Sequence, residues 1–272
     1  MNRNMIINEL NNRGFNAEPH NVIKNGVELE GIKIFSSSNI APIFYTEELI
    51  RSAEEMNISL NDVVSNLIEE YESRKSFDFD VNMVFNKDFI FSHIYIGLQK
   101  ISNEDIVKRP CDLEGIEKYL YIIYGENHEF SFKVSNQILE KADISEFKAW
   151  EQALINSNLE TTIDSMAKVI CKTMNMEYDE SMDYGMPLFV ISNKYNFRGA
   201  SAILNKNLLA EVANTYHTSS IVVIPSSVHE MILAPLADIS DLDYFSSMVR
   251  EVNISTVSPT ERLTDRAYVM TI

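Results

Sequence analysis

A short polar run directly after an apolar stretch holds the residue types of acyl-transfer chemistry. Residues 221–224 are strand-like, and Ser226, Ser227, His229 and Glu230 follow them. A serine hydroxyl becomes a good nucleophile when a nearby imidazole takes its proton, and a carboxylate can orient that imidazole. Sites in α/β sheets collect at strand ends. The run is therefore a candidate catalytic site of a hydrolase or transferase.

The same residues also have a structural interpretation, which we favour. Members of a catalytic triad usually come from separate elements, and no Gly-x-Ser-x-Gly turn surrounds Ser226 or Ser227. Serine hydroxyls often cap turns and helices instead. This interpretation predicts that the serines cap a turn and that His229 takes part in a hydrogen bond.

Three further residues are candidate binding residues at neighbouring strand ends, namely Asn193, Arg198 and Asn253. Residues 193–201 lie between a predicted strand and a predicted helix, where free backbone amides favour an anion. The single Gly199 is weak support for such a site. An ordinary turn is the preferred interpretation of this segment.

The sequence predicts neither a metal site nor a cofactor. Leu233 stands four residues after His229, where a zinc-protease helix carries its second histidine. The other histidines and the cysteines Cys111 and Cys171 fall at no recognisable ligand spacing. The eight glycines form no phosphate-binding motif.

The chain is acidic, and its acid excess is concentrated in the middle. The formal net charge is -17 over 272 residues. Residues 36–184 hold 28 acidic and 13 basic residues, a net charge of -15, whereas both flanks are nearly balanced. Such a surface repels phosphate backbones, so we expect no direct binding of DNA or RNA. A basic protein is the expected partner.

The compartment is predicted from what the sequence lacks. The amino terminus has no apolar signal-peptide core, and no run reaches the roughly 18 apolar residues of a membrane span. Two distant cysteines fit a reducing environment. We therefore expect a cytoplasmic protein without membrane contact, and the sequence leaves its oligomeric state open.

Helix and strand patterns are mixed along the chain. Asn25-Gly26 tolerates positive φ at both centres of a type I′ turn and so predicts a β-hairpin. Ser59 and Ser145 are predicted helix caps, and residues 87–100 fit either a helix or a strand. Predicted helices lie at residues 4–13, 46–56, 147–156, 159–174, 200–213 and 242–252, with others after Ser59 and from Ser258. Predicted strands lie at residues 22–24, 27–35, 40–45, 119–124, 130–134, 188–192, 220–224 and 267–272.

These elements predict an α+β fold. It begins with a helix and a β-hairpin, continues through a helical and β middle part, and ends in a three-layer-like α/β segment. An acidic loop at residues 176–185 marks a candidate boundary. The predicted division is an acidic α+β part, residues 1–184, and an α/β part, residues 185–272. One continuous unit is the alternative.

Several sequence blocks resemble an uncharacterised bacterial family, a domain of unknown function common in Gram-positive gut bacteria. The blocks are Pro225-Ser226-Ser227-Val228-His229-Glu230, Met248-Val249-Arg250-Glu251-Val252-Asn253, and residues 24–27, 39–45, 187–193, 199–200 and 256–268. The resemblance implies that both halves belong to one unit and that the chain is similar to genes on mobile elements. It implies no activity and no catalytic residue.

Two kinds of function compete on this basis. The acid excess and the lack of a complete catalytic motif favour a non-enzymatic protein-interaction protein. A narrower version is a nucleic-acid mimic that antagonises a bacterial defence nuclease by occupying its DNA channel. The alternative is a hydrolase or transferase with its site at residues 225–230.

Overall fold

The structure, a computed structural model, describes residues 1–35, 41–74, 80–125, 130–183, 185, 187–235 and 242–272. Contacts between Cα atoms divide the chain into two units, Met1–Met83 and Val84–Ile272. The division expected after residue 184 stays a prediction. The predicted α+β fold is confirmed, and the strands of all three sheets pair antiparallel.

The first unit contains a three-stranded antiparallel sheet that starts with the predicted hairpin. Asn25 (φ 49°) and Gly26 (φ 77°) form its turn, which joins strands β1 (Ala17–Lys24) and β2 (Val27–Ile34). Strand β3 (Ile43–Tyr45) pairs with the other edge of β2. The positive φ angles that a type I′ turn requires explain why this dipeptide predicted the hairpin.

Three helices cover this sheet: α1 (Arg3–Asn12), α2 (Thr46–Glu55) and α3 (Leu60–Arg74). The Ser59 hydroxyl accepts a hydrogen bond from the Asp62 amide at 3.2 Å, so the predicted cap of α3 is confirmed. Residues of all three helices and the sheet share one core. That core consists of Ile6, Ile7, Leu10, Ala17, Ile32, Ile34, Phe44, Ala53, Val63, Val64, Leu67 and Tyr71.

A four-stranded antiparallel sheet opens the second unit. Its central strand is β6 (Ile116–Tyr124), which pairs along one edge with β4 (Ile94–Lys100). Along the other edge β6 pairs with β5 (Lys108–Pro110) and then with β7 (Phe130–Lys133). The helices of this region are α4 (Lys87–His93), α5 (Asn136–Lys141) and α6 (Glu146–Leu159). A 3₁₀ turn, Val81–Phe85, includes the last residues of the first unit and the first residues of the second.

A five-stranded antiparallel sheet completes the second unit, in the order β12-β10-β11-β9-β8. Its strands are β8 (Thr161–Ser165), β9 (Phe189–Asn193), β10 (Ser220–Pro225), β11 (Met231–Ala234) and β12 (Tyr268–Thr271). Its helices are α7 (Met166–Thr173), α8 (Lys206–Thr215) and α9 (Leu242–Ser255), with 3₁₀ turns at Glu180–Asp183 and Gly199–Leu204.

Alternate residues of β10 face two different cores. Ile221 and Val223 pack with residues of the Gly199–Leu204 turn and α8, whereas Val222 and Ile224 pack with residues of α9. Because successive side chains of a strand point to opposite faces, helices cover both sides of this sheet. The result is the three-layer arrangement expected for this segment, built on antiparallel pairing.

Several predicted elements are wrong in detail. The predicted helix 159–174 begins as strand β8, because β8 pairs with β9 from Thr161 to Ser165. Residues 87–100, left open between helix and strand, divide into α4 and β4. The helix expected from Ser258 is a single turn, closed by the Glu261 amide on the Ser258 carbonyl at 2.8 Å. Long-range strand pairing outweighs local helix patterns in such segments.

Two further observations qualify the sequence-based expectations. None of the helices among the described residues combines the length and apolarity that crossing a membrane requires. The predicted helix 200–213 is interrupted, since the Asn205 side chain accepts from the Leu208 amide and starts α8 as a new helix.

Leu10 and Met5 provide a matched test of the first unit's core. Leu10 is fully buried, whereas Met5, in the same helix, is 45% exposed. We expect Leu10→Ala to lower the free energy of unfolding by about 2–5 kcal/mol because it leaves a cavity. Met5→Ala should change it by less than about 0.5 kcal/mol. Urea unfolding followed by circular dichroism measures both, and equal losses would contradict the assigned packing of α1.

Candidate functional site

The turn between β10 and β11 contains the four candidate catalytic residues. The Ser227 hydroxyl accepts from the His229 amide at 3.0 Å, and the Ser227 amide donates to the Glu230 carbonyl at 3.2 Å. The Ser226 hydroxyl donates to the Glu230 carboxylate at 3.1 Å. These contacts close the turn on itself. The serines therefore act as turn caps in this geometry.

The His229 ring is engaged on both nitrogens. Its Nδ1 accepts a hydrogen bond from the Arg198 backbone amide at 3.1 Å, and its Nε2 lies 3.4 Å from a carboxylate oxygen of Glu261. Since Nδ1 is the acceptor, the neutral ring carries its proton on Nε2. Neither Ser226 nor Ser227 makes its hydroxyl hydrogen bond with this ring. The serine–imidazole contact of a nucleophilic site is therefore not formed by these residues.

The loop after β9 brings Asn193 and Arg198 to the same place. The Asn193 side chain accepts from the amides of Tyr195 and Phe197, at 3.1 and 3.2 Å, and donates to the Phe197 carbonyl at 2.8 Å. Arg198 has a left-handed backbone, with φ 53°, which is uncommon for a residue with a side chain. The ordinary turn preferred from the sequence is what Asn193 builds here.

Gly199 allows this loop to lie directly against the β10–β11 turn. A Cβ atom at this position would meet the Ser192 hydroxyl and lie 2.6 Å from the His229 carbonyl oxygen. The Ser192 hydroxyl also donates to that carbonyl at 2.7 Å. Only glycine fits so close an approach. The candidate residues Asn193, Arg198 and His229 are thus brought together, with Ser226, Ser227 and Glu230 in the adjoining turn.

The Arg198 side chain ends among aromatic rings. Its guanidinium carbon lies 5.2 Å from the ring centroids of Tyr121 and Phe197 and 5.6 Å from that of Tyr119. A guanidinium nitrogen of Arg198 also donates a hydrogen bond to the Tyr119 hydroxyl. Ring faces attract a cation at these distances. Arg198 therefore joins the five-stranded sheet's loop to the face of the four-stranded sheet.

That face is an unusual mixture of polar and aromatic residues, and we call it the tyrosine face. Side chains of directly opposite residues on antiparallel strands point the same way. The tyrosine face consists of the opposed pairs Tyr95 and Tyr121, Gly97 and Tyr119, and Gln99 and Glu117, together with Lys108 and Lys133 from the neighbouring strands. None of these residues was singled out from the sequence. Their alternation in β4 and β6 was the available signal.

A hydrogen-bond network satisfies the polar groups of the tyrosine face. Lys133 donates to the Glu104 carboxylate at 2.6 Å and to the Gln99 amide oxygen at 2.7 Å. Gln99 and the Ser102 hydroxyl each donate to the nearly buried Glu117 carboxylate at 2.8 Å. A buried polar group that has a hydrogen-bond partner avoids a desolvation penalty of about 1–3 kcal/mol. The network therefore stabilises a polar interior.

Burial and neighbouring charges shift the pKa values of the ionisable side chains in this network. Desolvation lowers the pKa of Lys133, although its contact with Glu104 opposes this effect. Burial raises the pKa of Glu104, but the hydrogen bond and charge of Lys133 outweigh it, so the net shift is downward. Burial also raises the pKa values of Tyr119 and Tyr121. These shifts favour an ionised Glu104 carboxylate and neutral phenols at Tyr119 and Tyr121.

Asn253, the remaining candidate, has a different role. It is nearly buried in α9, and its side chain donates to the Thr264 carbonyl at 2.9 Å and to the Asp265 carboxylate at 2.7 Å. These bonds fix the segment after α9. They involve neither Arg198 nor His229.

The residues that the structure describes form surface pockets but no cluster of metal ligands. No group of three or more His, Cys, Asp or Glu side chains in this part of the chain could hold a metal ion, and His128 lies outside it. Four surface pockets of the second unit have volumes of about 230 to 490 Å³. His229, Ser226 and Ser227 do not line any of these four pockets.

The contact between Gly97 and Tyr119 tests the tyrosine face. A Cβ atom on residue 97 would lie 2.5 to 2.8 Å from the ring end of Tyr119, which is 3% exposed. We expect Gly97→Ala to lower the free energy of unfolding by about 1–3 kcal/mol through overpacking. In a Tyr119→Leu background, Gly97→Ala should lower the free energy of unfolding by a smaller amount. A double-mutant cycle by urea unfolding measures the coupling, and additive losses would contradict this contact.

Acid titration of stability tests the Lys133–Glu104 pair. The folded carboxyl of Glu104 has a pKa below its ordinary 4.5, so the unfolded chain binds more protons in the window below that value. Stability from this pair is therefore present above pH 4.5 and lost as pH falls through the folded pKa. The difference in unfolding free energy between wild type and Glu104→Gln should shrink over this window. Glu140→Gln, an exposed control, should show a difference that varies less with pH.

Comparison with known proteins defines the family. No curated protein and no solved structure matches the chain significantly. A family model described as a family of unknown function, DUF5688, matches residues 3–271, and so spans both units and every candidate residue discussed above. The chain therefore belongs to DUF5688, a family of unknown function.

Proposed function

We propose that this protein is a non-enzymatic binding protein whose acidic surface receives a basic protein partner. One observation carries the proposal, namely the exposure of the acidic side chains in residues 36–184. All but four of those described are exposed. The exceptions are Glu104, Glu117, Glu160 and Asp164. Because exposed like charges repel one another without stabilising the fold, a surface of this kind gains most from a partner of opposite charge.

Three cations of the second unit engage its interior. Arg198, Lys133 and Lys108 are partly buried and engage rings or polar groups of the tyrosine face. Their charges are therefore less available to neutralise the surface.

The hydrolase or transferase alternative has weaker support. Its proposed base, His229, accepts a hydrogen bond from a backbone amide on Nδ1. The hydroxyls of Ser226 and Ser227 form their hydrogen bonds within their own turn. A catalytic serine needs a hydroxyl within hydrogen-bond reach of its base. The binding proposal makes no such demand on these residues.

Helices α2 and α3 support a narrower form of the proposal, antagonism of a defence nuclease. Their acidic residues are all exposed, and Arg51 and Arg74 are the basic residues of this range. The acidic residues are Glu47, Glu48, Glu54, Glu55, Asp62, Glu69, Glu70 and Glu72. A helical surface rich in carboxylates offers the negative charge that a nuclease's DNA channel attracts. In this form, duplex DNA should displace the protein from its partner.

Partner capture at two salt concentrations tests the proposal. The purified protein is used as bait in lysate of a related bacterium at about 50 and about 300 mM NaCl, and captured proteins are identified by mass spectrometry. We expect a basic partner at low salt. With that partner purified, the dissociation constant should rise roughly tenfold between the two salts, because the encounter is electrostatic. Biolayer interferometry measures both rate constants.

A charge-matched pair of variants provides the control. Glu48→Gln/Glu69→Gln/Glu177→Gln removes three exposed carboxylates of the middle segment, and Glu18→Gln/Asp243→Asn/Glu251→Gln removes three exposed carboxylates of the flanks. The first variant should lower the association rate about threefold or more at low salt, and the second by less. Equal effects, or no basic partner at either salt, would overturn the proposal.

A further inference from the structure

Two adjoining pockets of the second unit form one groove. Their volumes are about 230 and about 490 Å³, and both are lined by Ser165, Asp183, Phe189 and Tyr216. We call their combined surface the Tyr216 groove. The shared lining places the two pockets next to each other.

One end of the Tyr216 groove is apolar and adaptable. It is lined by Met166, Ile170, Met182 and Leu188 next to the shared Phe189. The side chains of Ile170 and Met182 are 48% and 46% exposed. Exposed apolar side chains in a concave surface gain free energy when a partner covers them. Methionine adapts its shape to different aliphatic groups.

The other end of the groove is acidic. It is lined by Asp164, Glu180, Asp183 and Glu211, with Lys168 as its cation. Lys168 pairs with Asp164, so that cation already has a partner. Glu180 and Glu211 are exposed, and neither forms an ion pair with a described Lys or Arg. Two carboxylates therefore face the groove without forming an ion pair to any Lys or Arg that the structure describes.

Hydrogen bonds keep a third carboxylate ionised. The Tyr178 hydroxyl donates to Asp183 at 2.5 Å, and hydroxyls of Ser165 and then Tyr178 lower the pKa of that carboxyl. Asp183 lines both pockets. Negative charge thus reaches the junction of the acidic and apolar ends.

We propose that the Tyr216 groove binds an extended segment of a basic protein, with a Lys or Arg side chain at the acidic end and an aliphatic side chain at the apolar end. Charge complementarity selects the cation, and the apolar lining selects its neighbour. In an extended peptide, residues i and i+2 point the same way about 7 Å apart, so both anchors can enter together. The inference rests on the proposed function, whose partner it describes more closely.

Fluorescence anisotropy with defined peptides tests the groove. The probe is a fluorescein-labelled ten-residue peptide in which Arg stands at position i and Leu at position i+2. Two comparison peptides carry Gln for Arg or Ser for Leu. We expect the full-length protein to bind the probe at low salt, and each comparison peptide roughly fivefold or more weakly, because each lacks one anchor.

Variants of the full-length protein locate the site. Glu180→Gln/Glu211→Gln should weaken probe binding about fivefold and reduce its salt dependence, because two charges that attract the peptide's cation are lost. Ile170→Gln should weaken binding with little change in salt dependence. Asp243→Asn/Glu251→Gln, which removes two exposed carboxylates of α9, should leave binding within about twofold. Thermal unfolding of each variant checks that the fold is kept.

The outcomes separate the groove from the proposed function. Failure of the wild type to bind the probe, or equal losses in the groove and α9 variants, would overturn the groove. A salt-sensitive basic partner that binds Glu180→Gln/Glu211→Gln as tightly as wild type would also overturn it, and would leave the proposed function standing. Absence of any basic partner would remove the proposed function itself.

Discussion

The second unit is organised around the need to satisfy polar groups buried on strand β6. Glu117, Tyr119 and Tyr121 point to the same face and are almost without solvent contact. A buried polar group without a hydrogen-bond partner costs about 1–3 kcal/mol. Partners therefore have to come from elsewhere in the fold. Gln99 supplies one from the neighbouring strand β4, and Arg198 supplies another from the loop after β9.

This requirement connects the two sheets of the unit. Arg198 reaches Tyr119 because its backbone adopts a left-handed conformation and its amide is held by the His229 ring. The adjacent Gly199 allows the loop to lie against the turn that carries His229. The residues that most resemble a catalytic constellation are thus part of the structure that orients an internal cation. Their side chains make hydrogen bonds within the β10–β11 turn and with the Arg198 amide.

Charge is divided between interior and surface by the same arrangement. Cationic groups such as Lys133 are drawn into the tyrosine face, where burial lowers the pKa of that amine while its contact with Glu104 offsets the shift. Most acidic residues of the middle segment lie outside. The proposed partner surface and the Tyr216 groove both depend on exposed carboxylates.

Local patterns were sufficient where one short segment sets its own conformation. The Asn25-Gly26 turn and the Ser59 cap were predicted because positive φ and helix capping depend on a few neighbouring residues. The sequence by itself also determined the charge and the mixed α and β character. Only the tertiary structure decided that residues 161–165 form a strand, that His229 faces Arg198, and that the tyrosine face exists. Those features depend on pairing between distant segments, whose free energy no local pattern contains.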